Sequence, residues 1–453
     1  MKAVYGERLS EHTERLAHHS YRGEIWDQAV KYCRDAGVRA TKRSANREAV
    51  TWFEQAIAAI DHLPVTPNTL GKAVDLRLEV RNPLFALGEL RRVSQVLEIA
   101  QTTAESLGDD YRLARTLAYF TPFYTWTSQH RRAVPSATRA LELVGGTGHL
   151  EVKAPTLTFL GLTSMYTADF ARASAALAEN IGALDGELRS ERFGMNAAPA
   201  SYARALMGFV LAEQGHFAEA LKIGREGIEV AAESKHPFSE SVATLFLAHS
   251  HHRKGDAATA VDLGEAALDL ALASESLILQ PLAAVFLAEA CSGARQFERA
   301  RSVAQEAVRL FASMHMSLGR SQAQCMLVEV YLNTGASGAA SQLALDTLEL
   351  VRAHGERLLE VWLLKLLGDI YADCDPPDLA RAQETFSAAA TLAAELGMRP
   401  YVAHSRFGLG RIFGRMGRRY DAREQFTTAL SMYHELGMDD WPEAAKAELR
   451  ALD

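Results

Sequence analysis

The sequence predicts an all-α chain: a right-handed α-solenoid of stacked antiparallel helix pairs that repeat about every 40 residues. Four alanines, Ala220, Ala260, Ala300 and Ala340, stand 40 residues apart, and the text before them recurs as QGHFAEA, KGDAATA and ARQFERA. Apolar residues make up 48% and aromatics only 8%, so alanine and leucine, both strong helix formers, supply much of the apolar content. Self-similarity at this period marks stacked supersecondary units, none of which buries its apolar face alone.

Taken in order, residues 7–61 read as two or three short helices, with Gly23, Trp26 and Ala29 already showing the punctuation of the later units. Pro64 and Pro67 break this run, because proline lacks a donor and disfavours helix in the residue before it. The repeat then continues through Val93, Val134, Ala173, Ala220, Ala260, Ala300, Ala340, Ala382 and Ala422, in steps of 41, 39, 47, 40, 40, 40, 42 and 40. The longest step carries an insertion around Asp185–Ser190, and the step of 42 an extra pair within Asp373–Asp378. The expected organisation is N-terminal helical repeats at 1–62, repeats at 63–184, a linker at 185–196, further repeats at 197–437 and a capping helix at 438–453. Gly255 is placed to close one helix, and Asp256, Asp169 and Asp421 to cap the next. Leu-Gly stops at Gly108, Gly397 and Gly437 end others, and Gly145-Gly146-Thr147-Gly148 reads as a helix–helix linker.

Two antiparallel helices approach closely only where a small side chain lies between them. Twelve residues before the anchor most units place a second small residue: Gly161, Gly208, Ala248, Ala288 and Gly410, with Gly368 fitting after the insertion and Val328 departing. A large apolar residue usually precedes it, as Leu160, Met207, Leu247 and Leu287 do. This large–small pairing resembles the tetratricopeptide repeat, in a unit lengthened to 40 residues.

A net charge of −8 and a pI near 6.0 give no basic footprint for nucleic acid. No apolar run is long enough to span a membrane, and Met1–Arg8 lacks the apolar segment of a signal peptide. Cys33, Cys291, Cys325 and Cys374 lie far apart without CxxC spacing, as expected of reduced, mostly buried thiols in a cytoplasmic protein. No P-loop, GxSxG or HExxH motif occurs, so the expectation is a protein without catalytic residues, cofactor or metal. His249 and His252, three apart on one helical face, have the spacing of metal ligands, but no carboxylate or cysteine stands near them in sequence. They read better as groove or helix-end histidines.

Function is expected on the concave face. In tetratricopeptide arrays that face is lined by residues 18, 15, 11 and 8 positions before the anchor, a spacing that keeps them on one side of a helix. Carried over, the rule selects Tyr119, Phe123, Trp126, Tyr202 and Phe209 in the early units, then His249, His252, Glu289, Glu329, Trp362, Asp369 and Arg411. The aromatic stretch suits apolar anchors of a partner, and the acidic row Glu289, Glu329 and Asp369 suits a basic segment.

The N-terminal text sharpens the expectation. Glu14–His19, Trp26–Tyr32, Ala36-Gly37 and Ser44–Val50 are similar to the segment that follows the ATPase module in bacterial STAND-type signalling proteins, many of which carry an adenylate/guanylate cyclase domain and a tetratricopeptide tail. The chain lacks both the cyclase and the ATPase, so the resemblance implies only the tail's role: a sensor or interaction module for a protein or peptide partner, with a signalling ATPase or cyclase as the partner class. The alternative is a tail that senses a small effector for a transcriptional activator of the same type.

Overall fold

The computed structural model describes residues 13–145, 148–274, 276–438 and 440–452. The Met1–Arg8 segment and Gly146-Thr147 of the glycine linker lie outside them. Three N-terminal helices come first, α1 (Thr13–Arg22), α2 (Trp26–Lys42) and α3 (Asn46–Ile60). Pairs of an inner and an outer helix follow: α4 (Pro67–Ala86) with α5 (Leu90–Leu107), α6 (Asp110–Trp126) with α7 (His130–Val144), and α8 (Leu150–Tyr166) with α9 (Phe170–Ala183). After a loop containing a 3₁₀ turn at Gly186–Leu188 come α10 (Pro199–Gln214) with α11 (Phe217–Ser234), α12 (Pro237–Lys254) with α13 (Ala257–Ala273), and α14 (Leu279–Gly293) with α15 (Phe297–Ser313). The last pairs are α16 (Ser317–Asn333) with α17 (Ser337–His354), α18 (Arg357–Asp373) with α19 (Leu379–Leu396), and α20 (Arg399–Arg415) with α21 (Arg419–Leu436). A single helix, α22 (Trp441–Ala451), ends the described chain. This is an α-solenoid of the tetratricopeptide type.

The anchor series is regular once one position is corrected. Of the two neighbours in α7 it is Ala133, not Val134, that is fully buried, so the steps around it are 40 and 40 rather than 41 and 39. With that change Val93, Ala133, Ala173, Ala220, Ala260, Ala300, Ala340, Ala382 and Ala422 are each the fourth residue of an outer helix, and each is 0% exposed. The inner helices answer in volume. A Cβ on Gly161, Gly368 or Gly410 would stand 2.6 Å from Leu177, Phe386 or Phe426, the large residues one turn beyond the anchors. Where the inner residue is already alanine, at Ala248 and Ala288, the outer residue one turn on is small instead, Gly264 or Ala304. In these pairs packing density is conserved by exchanging bulk across the interface, whereas Gly208 meets Gly224 and a Cβ there would run into the Ala220 carbonyl at 3.1 Å.

Inner and outer helices differ in burial. In α8, 14 of 17 residues are buried; in α9 only Phe170, Ala173, Ala176, Leu177 and Asn180 are. The inner helices are covered on the second side because the superhelix closes on itself. Inner helices five pairs apart touch, α6 with α16, α8 with α18 and α10 with α20. Hydrogen bonds run across this closure from Tyr166 to Gln322 (2.8 Å) and from the Trp362 indole to Glu213 (3.1 Å).

Helix ends follow the expected chemistry with one exception. Gly255 (φ 108°) closes α12 in the left-handed region, where a Cβ would also meet Asp440 at 3.3 Å. Asp256 and Asp169 accept the backbone N–H of Thr259 and Arg172. Asp421 does not cap; it lies inside α21, whose preceding residue is Arg418, and its carboxylate takes the Arg418 guanidinium at 2.7 Å. Cys33, Cys291 and Cys325 are buried free thiols, and burial pushes Cys33 up to about 11. Among the described residues no helix is long and apolar enough to cross a membrane.

Candidate functional site

The inner helices α10, α12 and α14 each bring a charged side chain to the middle of the closed superhelix. His249 of α12 lies between two carboxylates: its Nε2 is 2.9 Å from Glu213 and its Nδ1 is 2.8 Å from Glu289. Arg253, one turn on, donates from Nε to Glu213 at 2.9 Å and sets its Nη2 2.9 Å from Glu289. The second Glu213 oxygen takes the Trp362 indole. Glu213, His249 and Glu289 are at most 2% exposed. Phe209 stacks on His249 with centroids 4.1 Å apart, and the Arg253 guanidinium lies 4.3 Å from the centre of the Trp362 ring system.

The geometry sets the protonation. Burial opposes a charged His249 ring, but the adjoining Glu289 and Glu213 outweigh it and raise its pKa. Both ring nitrogens then donate, as only an imidazolium allows. Burial also opposes the charged glutamates, yet Arg253 and His249 hold both below the usual carboxylate range, Glu289 well below it. Two carboxylates thus face two cations, and the cluster is neutral as a whole. Burial pushes His252 and His404 down, so these rings are neutral.

Against this cluster opens a cavity of about 400 Å³. Its walls come from α12, α16, α18 and α20, and α22 closes one side with Trp441, whose ring lies 4.4 Å from that of His404. Trp362, Tyr401 and Trp441 give it aromatic surface. Glu329, bound to the Ser292 hydroxyl at 2.9 Å, and Lys365, paired with Asp369 at 2.8 Å, give it charge of both signs. A cavity of this size, apolar in most of its lining with a few convergent polar groups, is the usual form of a ligand site.

The residues selected from sequence divide into three groups. His252, Glu329 and Trp362 line the cavity. His249, Glu289 and Phe209 form the buried cluster behind it, while Asp369 lies beside it between Lys365 and Arg411, the latter 3.7 Å away. The acidic row is therefore not a free stripe: Glu289 and Asp369 are neutralised by the protein's own cations, and only Glu329 of the three faces the cavity. Tyr119, Phe123, Trp126 and Tyr202 are buried elsewhere, between 4% and 8% exposed. The one-residue change of anchor also moves the stripe of α6, though not to an open face, since Ala118, Pro122 and Thr125 are buried as well. The equivalent positions of α6 become Arg115, Ala118, Pro122 and Thr125.

Sequence reasoning did not select Glu213, Arg253, Tyr401 or Trp441. A signal for two of them exists, since Glu213 and Arg253 both stand seven residues before an anchor, Ala220 and Ala260, one position past the chosen stripe. Tyr401 precedes the stripe by one turn, and Trp441 comes from the terminal helix, which has no repeat register.

No protein-family model and no curated protein matches the chain. Among solved structures, the fold is similar to that of a Rap protein complexed with Competence and Sporulation Factor, with a TM-score of 0.62 at 10% identity over 82% of this chain and 99% of that one. A STAND-type signal-transduction ATPase with a tetratricopeptide repeat sensor, from Pyrococcus horikoshii, aligns with 85% of this chain and 55% of its own at 12% identity and a TM-score of 0.46. Yeast Tom70 aligns with 94% of this chain and 97% of its own at 13% identity and a TM-score of 0.33.

Proposed function

We propose that the chain is a non-catalytic receptor for a peptide segment of a partner protein, held in the cavity walled by α12, α16, α18, α20 and α22. In this reading it serves as a sensor or regulatory interaction module of bacterial signal transduction. The single observation that carries it is the cavity itself: aromatic rings from three separate helices beside Glu329 and Lys365, against a charge cluster already neutralised from within. Such walls suit a segment that offers an apolar side chain together with backbone or charged groups. The similar Rap fold holds a factor in its complex, which fits the reading. The cavity volume also falls in the range of small-molecule sites, which favours a small effector as the second reading.

Selection of a displayed random peptide library on the purified protein tests the proposal, followed by titration of the enriched peptides against wild type, Glu329→Gln and Lys365→Met. Enriched peptides that change the tryptophan fluorescence and bind either variant about tenfold more weakly, about 1.4 kcal/mol, support it. No enrichment, or equal affinity for all three proteins, sinks it. A small molecule found by native mass spectrometry and displaced by neither peptide nor buffer moves the case to the second reading.

A further inference from the structure

A different region carries an unmet electrostatic demand. Arg81 of α4 is 4% exposed, yet no ion pair reaches it among the described residues. Its guanidinium lies 3.7 Å from the centre of the Tyr119 ring and donates from Nη2 to the Gly194 carbonyl at 3.4 Å, while Nε has no partner. Tyr119 is the side chain that favours its charge, and the neighbouring charge that weighs against it is another cation, Arg115. A buried charge without a counter-charge is among the costliest arrangements in a protein.

Arg81 lines a chamber of about 40 Å³, room for a few non-hydrogen atoms, whose other walls include Phe85, Trp126 and Phe159. Asn82, Met195, Asn196 and Phe238 are shared with a second chamber of about 300 Å³. Hydroxyls and amides supply half of the outer chamber's lining, the exposed Glu191 carboxylate and Arg192 also stand on its wall, and it too holds donors without acceptors. Ser276, 2% exposed, has a buried hydroxyl with no partner. His236 accepts from Arg192 at Nε2 (2.8 Å), which leaves its proton on Nδ1, and that buried atom is also unpaired. Burial and Arg192 push the ring down to about 4, so it stays neutral and keeps this arrangement. Every orphaned group across the two chambers is able to donate.

We infer that the two adjoining chambers, which share four wall residues, together form a site for a small carboxylic acid, its carboxylate on Arg81 and its oxygen-bearing body against Ser276 and His236. A planar monoanion suits the inner chamber by size, and its single charge balances the single guanidinium. A phosphate dianion would leave one charge unmatched among apolar walls. The site is separate from the cavity under α22, and neither reading depends on the other.

Thermal unfolding of the dialysed full chain with acetate, lactate, glycerate or inorganic phosphate at matched ionic strength tests the assignment. Lactate or glycerate is expected to raise Tm saturably by about 2 °C or more, acetate less, and phosphate not at all. Arg81→Met should abolish the response while leaving the ligand-free protein as stable as wild type or more so, because the uncompensated charge is gone. Ser276→Ala should keep the ligand-free Tm and weaken binding several-fold. The assignment is overturned by no saturable response to any of the three acids, by an equal response to phosphate, or by variants that respond as wild type does.

Discussion

The inner wall changes chemistry halfway along the superhelix while its burial stays the same. In α6 and α8 the buried polar residues include six threonines, Thr116, Thr121, Thr125, Thr156, Thr158 and Thr163, and each donates its hydroxyl to the carbonyl four residues back in its own helix. In α10, α12 and α14 the buried polar residues include Glu213, His249 and Glu289, which find partners on other inner helices, Glu213 reaching Trp362 of α18 across the axis. A threonine carries its own acceptor with it. A charge does not, and the buried charges of this cluster are held by opposite charges from neighbouring helices. The first half is thus closed by local bonding, and the second half is held by a network that also builds the back wall of the cavity.

The largest test of this contrast is Glu289→Ala. It leaves His249 and Arg253 with one carboxylate between them, and urea unfolding should report a loss of about 3–5 kcal/mol. A loss below about 1 kcal/mol would show that the two halves are not held differently. Packing, by contrast, is common to both, so Gly161→Ala and Gly410→Ala should each cost about 1–3 kcal/mol. Leu177→Ala should rescue the first and Phe426→Ala the second in double-mutant cycles; costs confined to one half would break the common packing rule.

The third expectation is a slope with pH. His249 has a raised pKa, so its contribution is fully present below the ordinary value of 6.5 and is lost as pH rises through the folded value. Glu213 and Glu289 are depressed, so theirs is present above the ordinary 4.5 and lost as pH falls. Replacement His249→Gln should therefore flatten the alkaline limb of a stability–pH curve, an effect that Thr125→Val in the other half should lack. The smallest effect belongs to Thr125→Val itself. It removes the Thr125–Thr163 contact (2.6 Å) but leaves Thr163 bonded to its own helix, so the cost should stay near 1 kcal/mol.

The helix pairs were legible in the sequence because each one repeats the same local demand. A small anchor, a small or complementary residue twelve earlier, and a glycine or aspartate at the turn recur at fixed spacing, and the structure places all nine anchors at 0% exposure. Val134 was misread for Ala133 because both are small and apolar, and only burial separates them. The candidate site was legible in part: the stripe rule reached His252, Glu329 and Trp362, and it reached His249 and Glu289 without saying that they face each other.

What the sequence determined by itself is therefore the repeating unit, its period and the face of each inner helix that turns toward the axis, since these follow from side-chain volume and helical spacing within 40 residues. The tertiary structure decided what that face meets. Whether an inner carboxylate looks at solvent, a partner or an arginine depends on how tightly the superhelix winds. That winding sums small rotations over many pairs, and no single repeat records it. The closure joins α10 to α18 and α20 across the axis, and it turns the expected open groove into a buried ion cluster with a cavity beside it.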